Sequence, residues 1–137
     1  EDIVFLRGMV LSMIIDLELK VNEFFANYFK IHPKLITHFH NYMLENKYNS
    51  LAGKKSTLSK ILKENKIEKE FEGLVSQIDK LAQDRNLIAH CKTDPAKRNI
   101  LICMGDKEEF SKKRINSIIE KANKASDHLD ALIKKYA

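Results

Sequence analysis

The chain has 137 residues, of which 44% are hydrophobic and 31% charged. That is enough apolar material for one packed domain, taken as residues 1–137, and too much for a disordered chain. A formal net charge of +5 and a pI of about 9.1 admit an anionic partner without demanding one.

The first predicted helix covers residues 3–29. Apolar residues recur at Ile3, Leu6, Val10, Ile14, Leu17, Val21, Phe24, Phe25 and Tyr28, mostly in steps of three and four, which line one helix face. Met9, Leu11, Met13 and Ile15 widen that face, as expected of a central helix touching neighbours on more than one side. Arg7 and Asp16 interrupt the apolar run before it reaches the roughly 18 residues of a membrane span. No small-residue cleavage site follows a basic start. A soluble, cytoplasmic protein with no membrane partner is expected. The chain opens on Glu1 rather than Met, as a trimmed piece of a longer protein would.

Pro33 is expected to break the first helix and to start a short second one over Lys34–Leu44. Residues 46–56 read as a loop punctuated by Gly53. Ser56 or Thr57 would then cap a short lysine-rich helix with Leu58, Ile61 and Leu62 inward. The next long helix is predicted over Glu68–His90, with Phe71, Leu74, Val75, Ile78, Leu81, Ala82, Ile88 and Ala89 as its apolar stripe. Residues 91–99 read as a turn, "ILICM" as an extended segment, and "GDKEEF" as a second turn. A last helix spans about Lys107–Tyr136. With only four Gly and two Pro in the chain, the fold class is all-α: a bundle of four to five helices with a short extended insertion before the last helix.

The chemistry concentrates in "DRNLIAHC", residues 84–91. Asp79, Gln83, Asn86 and His90 are spaced four, three and four apart, so they fall in line on one helix face. Arg85 is five residues before His90, about 140° around an ideal helix. Histidine can give or take a proton near neutrality. Arginine is a permanent cation whose planar fork fits phosphate, and asparagine can orient either. Together they suit attack on an RNA phosphodiester, where the 2′-hydroxyl is already a neighbouring nucleophile. No acidic cluster with metal-ligand spacing accompanies them, so metal-independent chemistry without a cofactor is expected. Spacing also fits an ordinary basic helix end, with Arg85 paired to Asp79 or Asp84 and His90 as a C-terminal cap.

The hexapeptide "RNLIAH" resembles the R-N-x-x-x-H signature of HEPN domains. It lies near the end of a long helix, after a short lysine-rich helix and before a final amphipathic one, as in that all-α fold. The resemblance covers most of the chain in architecture and about six residues in distinctive sequence. It implies a metal-independent endoribonuclease that leaves a 2′,3′-cyclic phosphate and acts in defence or in a toxin–antitoxin system. Arg85 and His90 carry over as the catalytic pair, and Asn86 as the polar residue after the Arg. Gln83 and Lys92 are expected to contact the RNA substrate. Such domains usually form a homodimer with two motifs across one cleft, so Arg85 need not meet His90 of its own chain. An antitoxin or nucleotidyltransferase partner is also implied. In the nucleotidyltransferase-paired toxins the motif often continues H-x-Tyr, and the Tyr is modified. Cys91 and Lys92 stand after His90 here, which removes Tyr adenylylation at that position. A catalytically silent relative that binds RNA, nucleotide or a protein partner is the alternative.

The remaining features are read as structural. Lys54, Lys55, Lys60, Lys63, Lys66 and Lys69 form a solvated helix face rather than an RNA track. Phe24, Phe25, Tyr28 and Phe29 belong to the core rather than to a base-stacking surface. His38 and His40 are two apart and do not converge on a metal. Cys91 and Cys103 lack the CxxC spacing of a metal site, and two thiols without a disulfide framework point to a reducing compartment.

Overall fold

A computed structural model describes residues 2–44, 50–94, 96–103 and 108–137. Helix α1 runs over Ile3–Tyr28 and is capped by Asp2, whose side chain accepts from the Val4 amide at 2.7 Å. Three helical turns of different pitch follow: a 3-10 turn over Pro33–Leu35, α2 over Ile36–Phe39, and a π turn over His40–Leu44. Then come α3 (Leu51–Glu64), α4 (Leu74–Ala89) and three short strands. These are β1 (Lys92–Asp94), β2 (Lys97–Cys103) and β3 (Glu108–Ser111), and α5 (Lys112–Lys135) closes the fold. The all-α class therefore stands, and the extended insertion before the last helix is an antiparallel sheet in the order β1-β2-β3.

Several boundaries differ from the sequence expectation. The helix α1 ends before Pro33, because Lys30 turns into the left-handed region (φ +54°) and the Ile31 amide closes back onto Ala26 O at 3.0 Å. The same six-residue closure ends α3, with Lys66 at φ +56° and Ile67 N–H on Leu62 O at 3.1 Å. The third helix begins earlier than expected: Ser50, not Ser56 or Thr57, is its cap, and its hydroxyl accepts from the Gly53 amide. Gly53 lies inside the helix instead of breaking it. The fourth helix begins later, at Leu74, because Gly73 adopts φ +84° and residues 68–73 are turns. The turn positions 46–49, 95 and 105–107 lie outside the described residues.

One hydrophobic cluster runs through α1, α3, α4, the sheet and α5. Ile3, Leu6, Val10, Ile14, Leu17, Val21, Phe24 and Phe25 enter it from α1. Ile115, Ile118, Ala122, Ala125, Leu129 and Leu132 enter from α5, whose length packs chiefly along α1. Phe24, Tyr28 and Tyr136 form a herringbone of rings 5.3–5.8 Å apart between those two helices. In the sheet, Leu101 and Phe110 face each other across β2 and β3, both buried. The lysine-rich segment is not uniformly solvated: Lys54 is buried and pairs with Glu18 of α1 at 2.9 Å. Lys55 joins α3 to α4 by pairing with Asp79 at 3.0 Å.

The widened face of α1 behaves differently from expectation. Leu11 and Met13 pack against the core, but Ile15 points outward. Val4, Phe5, Ile15 and Leu19 keep 50–59% of their surface open, with Gly8 and Ser12 exposed between them. No helix among the described residues is long and apolar enough to cross a membrane.

Candidate functional site

The helix α4 is regular through Ala89, and His90 is its C-cap at φ −103°, ψ 6°. Of the polar line expected along it, the first two members are engaged with the neighbouring helix. Asp79 holds Lys55 of α3 through one oxygen and accepts from Gln83 Nε2 at 3.2 Å through the other. Gln83 thus braces an inter-helix ion pair. Its place as a substrate contact weakens accordingly, although its side chain remains exposed.

The rest of the line is open. Asn86 and His90 are exposed and Arg85 is half-buried. Among the described residues, none is hydrogen-bonded or ion-paired to the side chain of Arg85, Asn86 or His90. The pairing of Arg85 with Asp79 or Asp84 is therefore not made: Asp79 goes to Lys55, and Asp84 lies 3.5 Å from Lys80 one turn back. His90 does occupy the capping position, but its imidazole is left outside the helix and exposed. Lys92, the first residue of β1, is exposed just beyond it and pairs in the ladder with Ile102.

Two features of the site were not legible in the motif. Arg7 of α1 reaches the end of α4 and donates from Nη2 to Ala89 O at 3.0 Å. The last carbonyls of a helix lack intrahelical partners and carry the negative end of its dipole, so a guanidinium there is favourable. In the sequence Arg7 was only an interruption of an apolar run. The single available signal was that a charge had been kept where every neighbour is apolar. Arg7 also adds a cation one residue from His90.

The second feature corrects the reading of the cysteines. Cys91 and Cys103 are joined as a disulfide across twelve residues of sequence, both sulfurs buried. The ladder pairs Lys92 with Ile102 and Thr93 with Leu101, which sets Cys91 opposite Cys103 on the next rung. Two cysteines suffice here because the strands hold them face to face.

No group of three His, Cys, Asp or Glu side chains among the described residues is placed to hold a metal ion. His38 instead stacks on Tyr42 at 5.7 Å, and His32 Nδ1 accepts from the Lys34 amide. A concavity of about 600 Å³ lies between α3 and the start of α4 and is lined by Lys55, Phe71, Gly73 and Asp79 among others. It mixes both signs of charge and lies toward the start of α4; its lining residue Asp79 is eleven residues, about 16 Å along the helix, before His90. Arg85, Asn86 and His90, without side-chain partners among the described residues, mark the better candidate, because these residue types can exchange a proton and hold an anion. Comparison with family models, with curated proteins and with solved structures finds no match to this chain.

Proposed function

We propose that the protein is a metal-independent endoribonuclease of the HEPN class, acting as a homodimer in the cytoplasm. One observation carries the reading: Arg85, Asn86 and His90 project from the end of α4 with no partner among the described residues, beside the cation of Arg7. The three side chains together offer an acid–base group, a planar cation for phosphate and an orienting amide, and all three are open to a ligand.

In the proposed reaction His90 takes the proton of a ribose 2′-hydroxyl. The freed oxygen attacks the adjacent phosphorus, and Arg85 holds the charge that develops on the non-bridging oxygens. The 5′-oxygen leaves and is protonated by the His90 supplied by a second copy, giving a 2′,3′-cyclic phosphate and a 5′-hydroxyl. Asn86 orients the phosphate, and Lys92 steers the RNA backbone. The exposed apolar stripe of α1 supports dimerisation beside the site, since Val4, at its start, stands three residues before Arg7 on the helix. A role in defence or in a toxin–antitoxin pair, with an antitoxin or nucleotidyltransferase as partner, belongs to the same reading.

The test is incubation of purified protein with mixed RNA, with and without EDTA, beside the His90→Ala variant. Cleavage that survives EDTA and is lost in the variant supports the assignment. Identical patterns from wild type and variant remove it.

A further inference from the structure

We propose that Cys91 and Cys103 form a thiol–disulfide switch that fixes the end of α4 when oxidised and thereby sets the position of His90. Its effect on RNA cleavage rests on the function proposed above; its effect on local structure does not.

The geometry is specific to one residue. His90 sits between two anchors. On one side, Ala89 is held through its carbonyl by Arg7 of α1 at 3.0 Å. On the other, Cys91 is tied covalently to the last residue of β2. Within the turn, the His90 amide reaches Leu87 O and the Cys91 amide reaches Ile88 O, each at 3.2 Å. These are long bonds at a helix end, where fraying is easiest. The disulfide is the strong link on the C-terminal side of the imidazole.

Reduction leaves a different set of contacts. Cys91 Sγ lies 3.0 Å from Leu87 O. A sulfur in a disulfide has no proton to give, but a thiol there donates to that carbonyl, weakly. Cys91 thus has two holds: a covalent one on the sheet, and a weak one within its own helix. The ladders of β1 to β2 and β2 to β3 are built from backbone pairing that the disulfide does not supply, so they are expected to persist on reduction. Reduction therefore detaches the sheet from α4 at one point without dissolving the sheet.

The chemistry balances as an exchange with a small-molecule disulfide such as oxidised glutathione. One cysteine thiolate attacks that disulfide, forms a mixed disulfide and releases one glutathione thiol. The second cysteine then displaces the other, giving the internal bond and two glutathione thiols in all. Both cysteines are at least 96% buried by the exposures of 4% and 1%, so exchange proceeds through local opening of the α4 end. Cytosolic disulfides are characteristically sensing or transient rather than structural, which fits a switch beside a reactive side chain. The direction follows from proximity: a histidine whose backbone is fixed on both sides holds its attack geometry better than one fixed on a single side.

The experiment compares wild type in oxidised glutathione with wild type in reductant, using Cys103→Ser as a chain that cannot close the bond. Mass spectrometry after alkylation counts the thiols. Amide hydrogen exchange over residues 87–92 reads local order, and cleavage of mixed RNA reads the site. The oxidised chain is expected to carry no free thiol, to exchange more slowly over 87–92, and to cleave about tenfold faster through kcat rather than KM. Cys103→Ser in reductant is expected to behave as the reduced wild type; in oxidised glutathione it stops at a mixed disulfide on Cys91, because no second thiol displaces the glutathione. Equal exchange over 87–92 in the two states overturns the switch, as does measurable cleavage at the same rate by the two forms. Slower exchange in the oxidised chain with no cleavage in either state supports the switch and removes the ribonuclease reading instead.

Discussion

Asp84 is a buried charged residue of α4. It is 2% exposed, its Oδ1 has no hydrogen bond, and its nearest cation is the ammonium of Lys80, itself half in solvent, at 3.5 Å. A buried charge with one distant partner loses more hydration than it recovers. Asp84→Asn keeps the shape and removes the charge, so it should raise the unfolding free energy at neutral pH by about 1 kcal/mol, read from the urea midpoint. A fall in stability would mean that the fold uses the carboxylate. Arg7 presents the opposite case. Among the described residues, its bond to Ala89 O is a side-chain hydrogen bond that ties the end of α4 to α1. Arg7→Ala should cost about 0.5–1 kcal/mol, since the pair is solvent-accessible, and should speed amide exchange at residues 88–91. Unchanged exchange there would show that the cap does nothing. For the reaction, His90→Ala should lower cleavage by roughly 10²–10⁴-fold, the usual worth of a general acid–base, with the melting temperature unmoved because the imidazole is exposed.

Among the elements, the long helices were legible because their apolar positions follow one period, and α1 and α5 lie within a few residues of where that period puts them. Their ends were not, for a physical reason. Lys30 and Lys66 terminate α1 and α3 in a conformation that the sequence normally signals with Gly or Asn. Gly53 carries that signal and stands inside a helix. Gly73 is where glycine's freedom is used, at the start of α4. A Cβ there would meet nothing within 4 Å, so the cost of Gly73→Ala is backbone strain alone. It should be about 1 kcal/mol by denaturation, and a neutral result would show that the turn can relax. The sheet was half legible: "ILICM" announced β2, while β1 and β3 are short and polar and gain their order from pairing with it. The same holds at the site. Arg85, Asn86 and His90 are neighbours in sequence, so a local pattern can group them. Arg7 and the Cys91–Cys103 link join positions 82 and 12 residues apart, and no local pattern encodes such contacts.

For the whole molecule, the open question is what covers α1. A helix of 26 residues is about 39 Å long. It sends one apolar stripe into the core and leaves Phe5, Ile15 and Leu19 on the outside around Gly8 and Ser12. Two small residues four apart allow a second helix to approach closely, and the flanking apolar side chains would supply the burial. A second copy of the same stripe is self-complementary, as a two-fold interface requires. It would need to bury about 800 Å² per partner, within reach of a helix this long with help from its neighbours. Arg7 lies on the border of that stripe and touches the end of α4, so pairing through α1 would bring two copies of the half-site toward one cleft. Ile15→Lys places a charge in the middle of the stripe at a position already half in solvent. The isolated chain should therefore keep its circular dichroism and melting temperature. Light scattering should show wild type at twice the mass of the variant, and RNA cleavage should fall in step with the dimer fraction. A wild type that is monomeric at assay concentration would leave α1 for another occupant. A monomeric variant that cleaves at the wild-type rate would mean that Arg85 and His90 of one chain suffice, and that the 140° between them is bridged by the reach of the arginine rather than by a second copy.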